Sequence, residues 1–391
     1  MFDKQQYVNN IKKYNKVCIY GAGKIARNIY KICKESNINI LAFYVTKKEN
    51  NVDEIEGIPV IQFDEYVDKD ILILLGVLEH GKRNIKNYIL EYGSYNVLDV
   101  PDDILYIDDF YAEKRRNPTI EITPIVGCSV NCRYCPQGVF LSAYYKKNKN
   151  RKSKMSLDEF KICLDKLPTN TLIEWAGFVE PFLNSESIDM MEYANQKGFK
   201  MTLFTTLVGL SMDKLERVLK IPFKQVVLHT ADVDGFANIP ITSDYLNMLE
   251  IIVNYKKKDG TFFIDSANCQ SQPHKKVLDV VDGKLKIYCE LSDRAGNLKN
   301  NEDNLKETHV KGRICCERAD ELNHNVLLPD GTMVLCCNDF GIKHELGNLI
   351  KNEYLDIIHG NEMRKIKCGM NIDENVDILC RRCMYAKNVN R

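Results

Sequence analysis

The chain has 391 residues, a length that accommodates two or three domains with a buried core in each. Lys plus Arg number 54, as do Asp plus Glu, so a net charge of zero argues against a nucleic acid or an anionic membrane as partner. The first residues lack the apolar segment of a signal peptide, and the longest apolar run, near residues 71–78, is too short to span a membrane. We therefore expect a cytoplasmic protein.

Cysteine is the most informative residue type in this composition. The chain contains 15 cysteines, a high and odd number that does not suit a disulfide scaffold in a reducing compartment. Seven of them lie from Cys315 onward. Clustered cysteines of this kind indicate that the chain binds a metal or an iron–sulfur cluster.

Residues 16–100 alternate predicted strands and helices, within a first domain expected at residues 1–105. Gly21, Gly23 and Ala26 form a G-x-G-x-x-A fingerprint between a strand and a helix, where amide groups can face a phosphate. The acidic residue that would bind a ribose hydroxyl is missing after the second strand, which ends near Lys47 and Lys48. This segment resembles the small Rossmann-like domains often fused to enzymes that make or decorate bacterial surface sugars. A scaffolding role and a ligand-binding role both remain open.

Repeated strand–helix units follow a charged linker between residues 99 and 118. Ser156 and Glu159 form a capping box at the start of one helix. Such repeats predict a parallel sheet with functional residues at the carboxyl ends of its strands, here a partial (β/α)6 barrel of the TIM type at residues 115–300. The basic run at residues 146–154 is expected to be a solvated loop, with docking of a phosphorylated substrate as the alternative.

Three cysteines follow the first strand of this second domain at the spacing C-x3-C-x2-C, namely Cys128, Cys132 and Cys135. A [4Fe–4S] cluster normally takes four thiolates, so three leave one iron open to an external ligand. The spacing, with Tyr134 before the last cysteine, resembles the signature of the radical S-adenosylmethionine (radical SAM) enzymes. The resemblance implies that the open iron binds SAM and that the cluster cleaves it to a 5′-deoxyadenosyl radical. On spacing alone, a zinc site is the alternative.

Further residues resemble the SAM-binding elements of that family. Gly177 and Glu180 lie in a segment similar to the glycine-rich element that contacts the amino group of SAM, although Val179 replaces one family glycine. Four residues are expected at the ends of the following strands: Thr205, Thr206, His229 and Ser266. The resemblance implies that Tyr134 and all six of these residues help to bind the cofactor. Cap or turn positions are the alternative.

Arg294 lies in a segment that resembles one found near the end of the barrel in radical SAM enzymes with a second cluster domain. The resemblance implies a catalytic-site role, in which Arg294 holds a carboxylate or phosphate through two parallel hydrogen bonds. A surface turn is the alternative. Cys269 and Cys289 lie outside the cluster motifs, so either could return a hydrogen atom to a substrate. The alternative is that both are buried, inert thiols.

The carboxyl-terminal region, expected as a third domain at residues 301–391, contains the remaining cysteine motifs. Residues 331–336 match G-x4-C on a predicted hairpin with an Asp330-Gly331 turn. The region resembles the SPASM domain or the shorter twitch domain, which hold auxiliary [4Fe–4S] clusters. Since no cysteine follows Cys383, one auxiliary cluster is expected. The resemblance nominates Cys316, Cys336, Cys380 and Cys383 as its ligands; Cys315, Cys337 and Cys368 leave the register open, and a four-cysteine zinc site is the alternative.

Three hypotheses about function follow. The first is a radical SAM oxidoreductase or epimerase that acts on a sugar, cyclitol or nucleotide sugar and receives electrons from a flavodoxin- or ferredoxin-type donor. The second is a peptide-modifying maturase of the SPASM type. The third is a protein that binds metal without catalysis. The substrate is thus expected to be a small molecule or a peptide.

Overall fold

The computed structural model describes residues 4–49, 51–64, 67–77, 79–100, 117–146, 151–257, 260–285, 287–288, 310–319, 321–373 and 375–389. The chain divides into two compact units, Met1–Glu113 and Lys114–Arg391. This division falls inside the linker expected between residues 99 and 118. The boundary expected at residue 300 lies outside the described residues and stays a prediction.

The first unit is built on one mostly parallel sheet. Its strands are β1 (Val17–Tyr20), β2 (Ile40–Val45), β3 (Glu54–Ile55), β4 (Ile58–Gln62), β5 (Leu72–Leu75) and β6 (Asn96–Asp99), in the order β3-β4-β2-β1-β5-β6. Its helices are α1 (Lys4–Ile11), α2 (Lys24–Glu35) and α3 (Glu79–Glu91). Every residue of β1 and β5 is buried, as is typical of parallel strands covered on both faces. The predicted alternation of strands and helices is confirmed.

The glycine fingerprint of this unit occupies the tight turn between β1 and α2. Gly21 has a φ of 116°, and a Cβ atom there would lie 2.6 Å from the carbonyl oxygen of Gly76. A Cβ atom on Gly76 would in turn lie 2.8 Å from the Cα atom of Ala26. Close backbone packing therefore accounts for the small residues at positions 21, 26 and 76, while nucleotide binding stays untested.

The second unit contains the cysteine motifs. Its strands are β7 (Thr119–Ile122), β8 (Leu172–Trp175), β9 (Lys200–Thr205), β10 (Gln225–His229), β11 (Ser266–Asn268), β12 (Ile287–Tyr288), β13 (Ile314–Cys316), β14 (His324–Leu327), β15 (Thr332–Val334), β16 (Glu345–Asn348) and β17 (Ala386–Asn388). Its helices are α4 (Gln137–Lys146), α5 (Leu157–Leu164), α6 (Ser187–Gln196), α7 (Met212–Leu219), α8 (Ser243–Asn254), α9 (Lys275–Val281), α10 (Tyr354–Ile358) and α11 (Asn361–Asn371). Two short 3-10 helices cover Pro181–Leu183 and Leu379–Arg382.

One nine-stranded sheet joins most of these elements, in the order β12-β11-β10-β9-β8-β7-β14-β15-β16. Strands β7 to β12 pair in parallel, each with the next along the chain. Strand β14 then adds to the other side of β7 in parallel and continues into the antiparallel β15 and β16. The predicted α/β fold class and the carboxyl-terminal hairpin are confirmed, as is the capping box of Ser156 and Glu159.

The two faces of this sheet differ in chemistry. Ile120, Ile122 and Trp175 belong to a large apolar cluster that includes residues of helices α5 and α6. Because side chains alternate along a strand, the intervening residues point to the opposite face. That face, which we call the polar face, is lined by buried side chains of adjacent strands: Thr119, Glu121, Glu174, Thr202 and His324.

Candidate iron–sulfur and SAM-binding sites

The first cysteine motif forms a loop directly after β7. Burial raises the pKa of Cys132 to about 12, with the charges of Cys135 and Cys128 contributing to the rise and a hydrogen bond with Gln270 opposing it. The three thiols therefore lie close enough to interact, as the spacing predicted. Three thiolates in a half-buried loop repel one another unless a cation is bound among them, so the donor set fits a metal cluster.

The loop is held by the segment that follows β10. The backbone N–H of Arg133 donates to the carbonyl of Phe236 at 2.6 Å, and that of Asn238 donates to the carbonyl of Val130 at 2.8 Å. The ring of Tyr134 lies 5.9 Å from the ring of Phe236 in an edge-to-face contact. In this structure Tyr134 therefore packs on that segment, and its predicted role in cofactor binding remains a prediction.

Glu180 lies beside the cysteine loop. Its carboxylate contacts two other residues that the sequence nominated for cofactor binding. Burial raises the pKa of the Cys128 thiol, and the backbone N–H of Glu180 lies close enough to oppose that rise. The carboxylate of Glu180 accepts from the hydroxyl of Thr205 at 2.8 Å, from the hydroxyl of Thr206 at 2.7 Å and from the N–H of Thr206 at 2.6 Å. The structure thus brings together three nominated residues that follow or end two neighbouring strands, β8 and β9.

The electrostatic environment of Glu180 suits a ligand site. Burial raises the pKa of this carboxyl group, and the donors from Thr206, Thr205 and Phe182 oppose the rise. No lysine, arginine or histidine in the described residues forms an ion pair with it. A buried carboxylate that is held only by neutral donors can accept an ammonium group from outside the chain.

Gly177 occupies the turn that leads from β8 toward Glu180. Its φ is 57°, and a Cβ atom at this position would lie 2.2 Å from the hydroxyl of Thr123. The N–H of Gly177 also donates to the carboxylate of Glu121 at 3.2 Å. The end of β7 therefore fills the space beside Gly177, and the predicted contact of Gly177 with the cofactor stays a prediction.

The remaining predicted cofactor residues have mixed outcomes. His229 ends β10 as expected, with its ring 6.4 Å from that of Phe204. Ser266 was expected to end a strand, but this placement is wrong because Ser266 begins β11. Phe262, which precedes Ser266, instead pairs with Lys256 in an isolated antiparallel bridge. The parallel strand therefore begins only at Ser266. Asn268 ends β11 beside His229 and was missed.

Some predicted residues cannot be compared with the structure. Arg294 and Cys289 lie outside the described residues, so their roles stay predictions. Cys269 is described and buried, as the inert alternative requires. None of the cysteines in the described ranges forms a disulfide bond.

The carboxyl-terminal cysteines converge on one cavity. Four nominated thiols line it: Cys316, Cys336, Cys380 and Cys383. Burial raises the pKa of Cys380, and the charges of Cys316 and Cys383 add to the rise. Burial likewise raises the pKa of Cys336, which also interacts with Cys380 and Cys383. The geometry therefore supports this set as a single four-thiolate site.

Neighbouring cysteines have other environments. Cys337 accepts a hydrogen bond from the guanidinium of Arg318 at 2.8 Å, which favours Cys336 over Cys337 as the ligand. Cys315 is exposed and lies on β13 next to Cys316, although it also lines the cavity. Its exposure favours Cys316, and we keep the ligand assignment as a proposal.

Two buried side chains fix the segment that carries Cys380. The Nε2 atom of His344 accepts from the N–H of Leu379 at 3.0 Å, so Nδ1 carries the proton and donates to Glu362 at 2.8 Å. The guanidinium of Arg381 donates to the carbonyls of Val310, Gly312 and Gly369. These bonds hold the second C-x2-C motif against the rest of the unit.

The spacing of the thiols bears on the zinc alternative. A tetrahedral zinc ion bound by thiolates at about 2.3 Å holds its sulfur ligands about 3.8 Å apart. Among the described residues, three or more ligand atoms lie within 4.8 Å of one another only at Glu121, Glu174 and His324. In the described residues the compact group of ligand atoms is thus this carboxylate–imidazole group and neither cysteine set.

Comparison with known families agrees with this geometry. Residues 315–384 match the SPASM family, an iron–sulfur cluster-binding domain. This region is a SPASM domain. The part of the resemblance that rested on the carboxyl-terminal cysteines is confirmed, and an iron–sulfur cluster is the group that the SPASM domain binds. Its four converging thiols are the residues suited to hold that cluster.

Several solved structures match the chain at low sequence identity. BtrN in complex with AdoMet and 2-DOIA is 15% identical, covers 70% of this chain with 94% of its own, and has a TM-score of 0.45. Streptococcus suis SuiB bound to precursor peptide SuiA is 14% identical, and the match covers 78% of this chain and 81% of the SuiB chain with a TM-score of 0.42. Native anSMEcpe with bound AdoMet is 14% identical, and the match covers 68% of this chain and 86% of the anSMEcpe chain with a TM-score of 0.37. No curated protein matches the chain.

Among the described residues, no helix combines the length and the apolar character that crossing a bilayer requires.

The structure shows one group of polar residues that sequence reasoning missed. Nε2 of His324 lies 2.7 Å from Oε1 of Glu121 and 3.0 Å from Oε2 of Glu174, on the polar face of the sheet. Burial opposes ionisation of Glu121, but the hydrogen bond and charge of His324 outweigh it, so the pKa of Glu121 lies below its usual value. The available signal was a glutamate in the middle of each of two apolar strands, β7 and β8.

Proposed function

We propose that the protein is a radical SAM enzyme that removes hydrogen from a sugar, cyclitol or nucleotide sugar and thereby oxidises or epimerises it. The observation that carries this proposal is the contact between Glu180 and the cysteine loop. A half-buried thiol set and a buried carboxylate without a described cationic partner meet at the ends of β7, β8 and β9. Thiolates for iron and an acceptor for an ammonium group are the two requirements for holding SAM beside a cluster.

The cysteine loop and the Glu180 cluster have separate roles in this proposal. Cys128, Cys132 and Cys135 would hold the first cluster, which takes four ligands and would find only three thiolates in this loop. A [4Fe–4S] cluster bound there would supply the electron that cleaves SAM and so creates the radical that takes hydrogen from the substrate. Glu180 accepts hydrogen bonds from the ammonium group of SAM, while Thr205 and Thr206 keep its carboxylate in place.

The second cluster and the electron donor belong to the same proposal. Cys316, Cys336, Cys380 and Cys383 hold the auxiliary cluster of the SPASM domain. A flavodoxin- or ferredoxin-type protein delivers electrons to the first cluster. Both assignments can be measured by iron analysis and by reduction with purified donors.

The polar face of the sheet supports a hydroxyl-rich substrate. Carboxylate, imidazole and hydroxyl groups line this buried surface on β7, β8, β9 and β14. Buried polar side chains are costly to desolvate, and they are retained where a polar ligand or water meets their hydrogen-bonding needs. A sugar or cyclitol offers such groups on every carbon.

The test uses the full chain, reconstituted with iron and sulfide without oxygen. Reduced enzyme is incubated with SAM and with myo-inositol, glucose or UDP-glucose deuterated on carbon, and deuterium in 5′-deoxyadenosine is measured by mass spectrometry. We expect transfer from at least one of the three. Cleavage of SAM without transfer from any of them, together with transfer from a deuterated peptide, would replace this proposal with the maturase alternative.

A further inference from the structure

The buried group formed by Glu121, Glu174 and His324 belongs to neither of the two nominated cysteine sets. Glu121 and Glu174 are register partners on β7 and β8, and His324 reaches both from β14. Each of the three residues is at most 5% exposed. Such a group is expensive to bury, so the chain must gain something from it in packing or in function.

The charges around this group disfavour a metal ion as its occupant. Arg318 places its guanidinium 3.8 Å from Oε1 of Glu121. A guanidinium at this distance already neutralises part of the carboxylate charge and repels a second cation at the same oxygen. A neutral polar ligand fits the site better than a divalent cation, although the three ligand atoms are close enough for one.

Three buried polar atoms around the group lack partners in the described part of the chain. They are Nδ1 of His324, Oγ1 of Thr119 and Oγ1 of Thr202. Thr119 is the register partner of His324, and Thr202 is the register partner of Glu174. These atoms therefore belong to the same face as the carboxylates, and their unmet hydrogen-bonding capacity indicates polar groups from outside the chain.

His324 also connects this face with the SPASM domain. It lines the cavity that contains Cys316, Cys336, Cys380 and Cys383, as does Arg318. A ligand that reaches His324 therefore lies at the wall of the auxiliary cluster cavity.

We propose that Glu121, Glu174, His324, Thr119 and Thr202 form a subsite that binds neighbouring hydroxyl groups of a polyol substrate. A hydroxyl group both donates and accepts, so it matches a surface on which carboxylate acceptors alternate with imidazole and hydroxyl groups. The inference rests on the proposed function and deepens it, because it names the residues that contact the substrate.

The test compares isosteric variants with matched controls on the reconstituted holoenzyme. His324→Gln and Glu174→Gln remove hydrogen-bonding capacity from the subsite, whereas His359→Gln and Glu250→Gln make the same changes at exposed positions, directly after α10 and within α8. The probes are carbon-deuterated myo-inositol, glucose and UDP-glucose. We expect both subsite variants to keep the iron content of the wild type and to raise the KM of the transferred probe about tenfold or more, as for a lost charged hydrogen bond. The controls keep the wild-type KM.

Binding is also measured without turnover, by equilibrium dialysis of the same probes. If the wild type binds a probe and the subsite variants bind it about tenfold more weakly, the subsite stands even when SAM is not cleaved. Equal KM and equal binding in all variants would overturn the subsite and leave the proposed function intact, as would stoichiometric Mn²⁺ binding that His324→Gln abolishes. Binding of no probe by the wild type would overturn it as well. If a glutamine variant loses iron, Thr202→Val provides the same comparison.

Discussion

Glu180 illustrates how a single residue connects the sequence motif with the site. The motif predicted a carboxylate near the amino group of SAM, and the structure adds four neutral donors that hold it: the N–H of Phe182, the hydroxyl of Thr205, and the N–H and hydroxyl of Thr206. These donors fix the carboxylate in a buried position beside Cys128. The ligand therefore meets an acceptor whose position is already set, which reduces the ordering cost of binding.

A Glu180→Gln substitution tests this residue. The amide keeps the size of the side chain but cannot form a charge-assisted bond with an ammonium group. We expect the dissociation constant of SAM to rise about tenfold to a hundredfold, the loss typical of one charged hydrogen bond. Isothermal titration of the reconstituted protein measures it, with Glu192→Gln on the partly exposed helix α6 as control. An unchanged dissociation constant would remove Glu180 from the SAM site.

Paired cysteine variants test the ligand assignment of the SPASM domain. We expect Cys316→Ala and Cys336→Ala to lower the iron content from about eight to about four atoms per chain, because each removes a cluster ligand. Cys315→Ala and Cys337→Ala, one residue away, should keep about eight. Iron analysis and visible absorption after reconstitution measure the cluster content. If Cys315→Ala or Cys337→Ala loses iron while its neighbour keeps it, the ligand assignment shifts by one residue.

The proximity of the first three cysteines was predictable because their spacing along the chain is local. Cys128, Cys132 and Cys135 lie within one loop, so their proximity follows from sequence separation alone. The Glu121–Glu174–His324 group instead depends on lateral pairing of β14 with β7 and of β7 with β8. No periodicity within one strand shows which distant strand becomes its neighbour.

At the scale of elements, the turn after β8 determines how Glu180 reaches the cysteine loop. Gly177 adopts a positive φ and packs against the end of β7, where a side chain has no room. The N–H of Phe178 donates to the hydroxyl of Thr123 at 3.0 Å and continues the same contact. The turn therefore ties the two strands that lead to the two halves of the SAM site.

Gly177→Ala tests this turn. The left-handed conformation and the clash with Thr123 together should cost about 2–4 kcal/mol of stability. Gly198→Ala is the matched control, because Gly198 also has a positive φ of 82° but faces open space, so about 1 kcal/mol is expected there. Thermal unfolding followed by circular dichroism compares them. Equal melting temperatures would show that the close approach at Gly177 does not matter.

The basic run at residues 146–154 shows why an element is hard to predict from composition. Arg151 was expected in a solvated loop, but its side chain is only 8% exposed. Its guanidinium bonds to Asp330 and to the hydroxyl of Thr332, and it stacks 4.3 Å from the ring of Tyr144. A charged residue looks solvated in the sequence because its partner lies 179 residues away.

At the scale of the whole second unit, one sheet carries the first cysteine loop and the hairpin that leads to Cys336, whereas Cys316 lies on β13, which pairs with β17 in a separate sheet. The first set follows β7, and the SPASM hairpin begins with β14, which pairs directly with β7 over four residue pairs. Two motifs that are far apart in the sequence are therefore built on adjacent strands. The sequence predicted a βα repeat and a hairpin separately, whereas their union in one sheet depends on long-range pairing that local patterns do not specify.

The central claim is that three thiolates hold a cluster that cleaves SAM. The most direct measurement is the yield of 5′-deoxyadenosine from reconstituted, reduced protein and SAM, in the wild type and in Cys132→Ala. We predict product from the wild type and none from Cys132→Ala, which should keep the iron of its SPASM domain. A fully iron-loaded wild type that forms no 5′-deoxyadenosine, or a Cys132→Ala variant that forms as much as the wild type, would contradict the account.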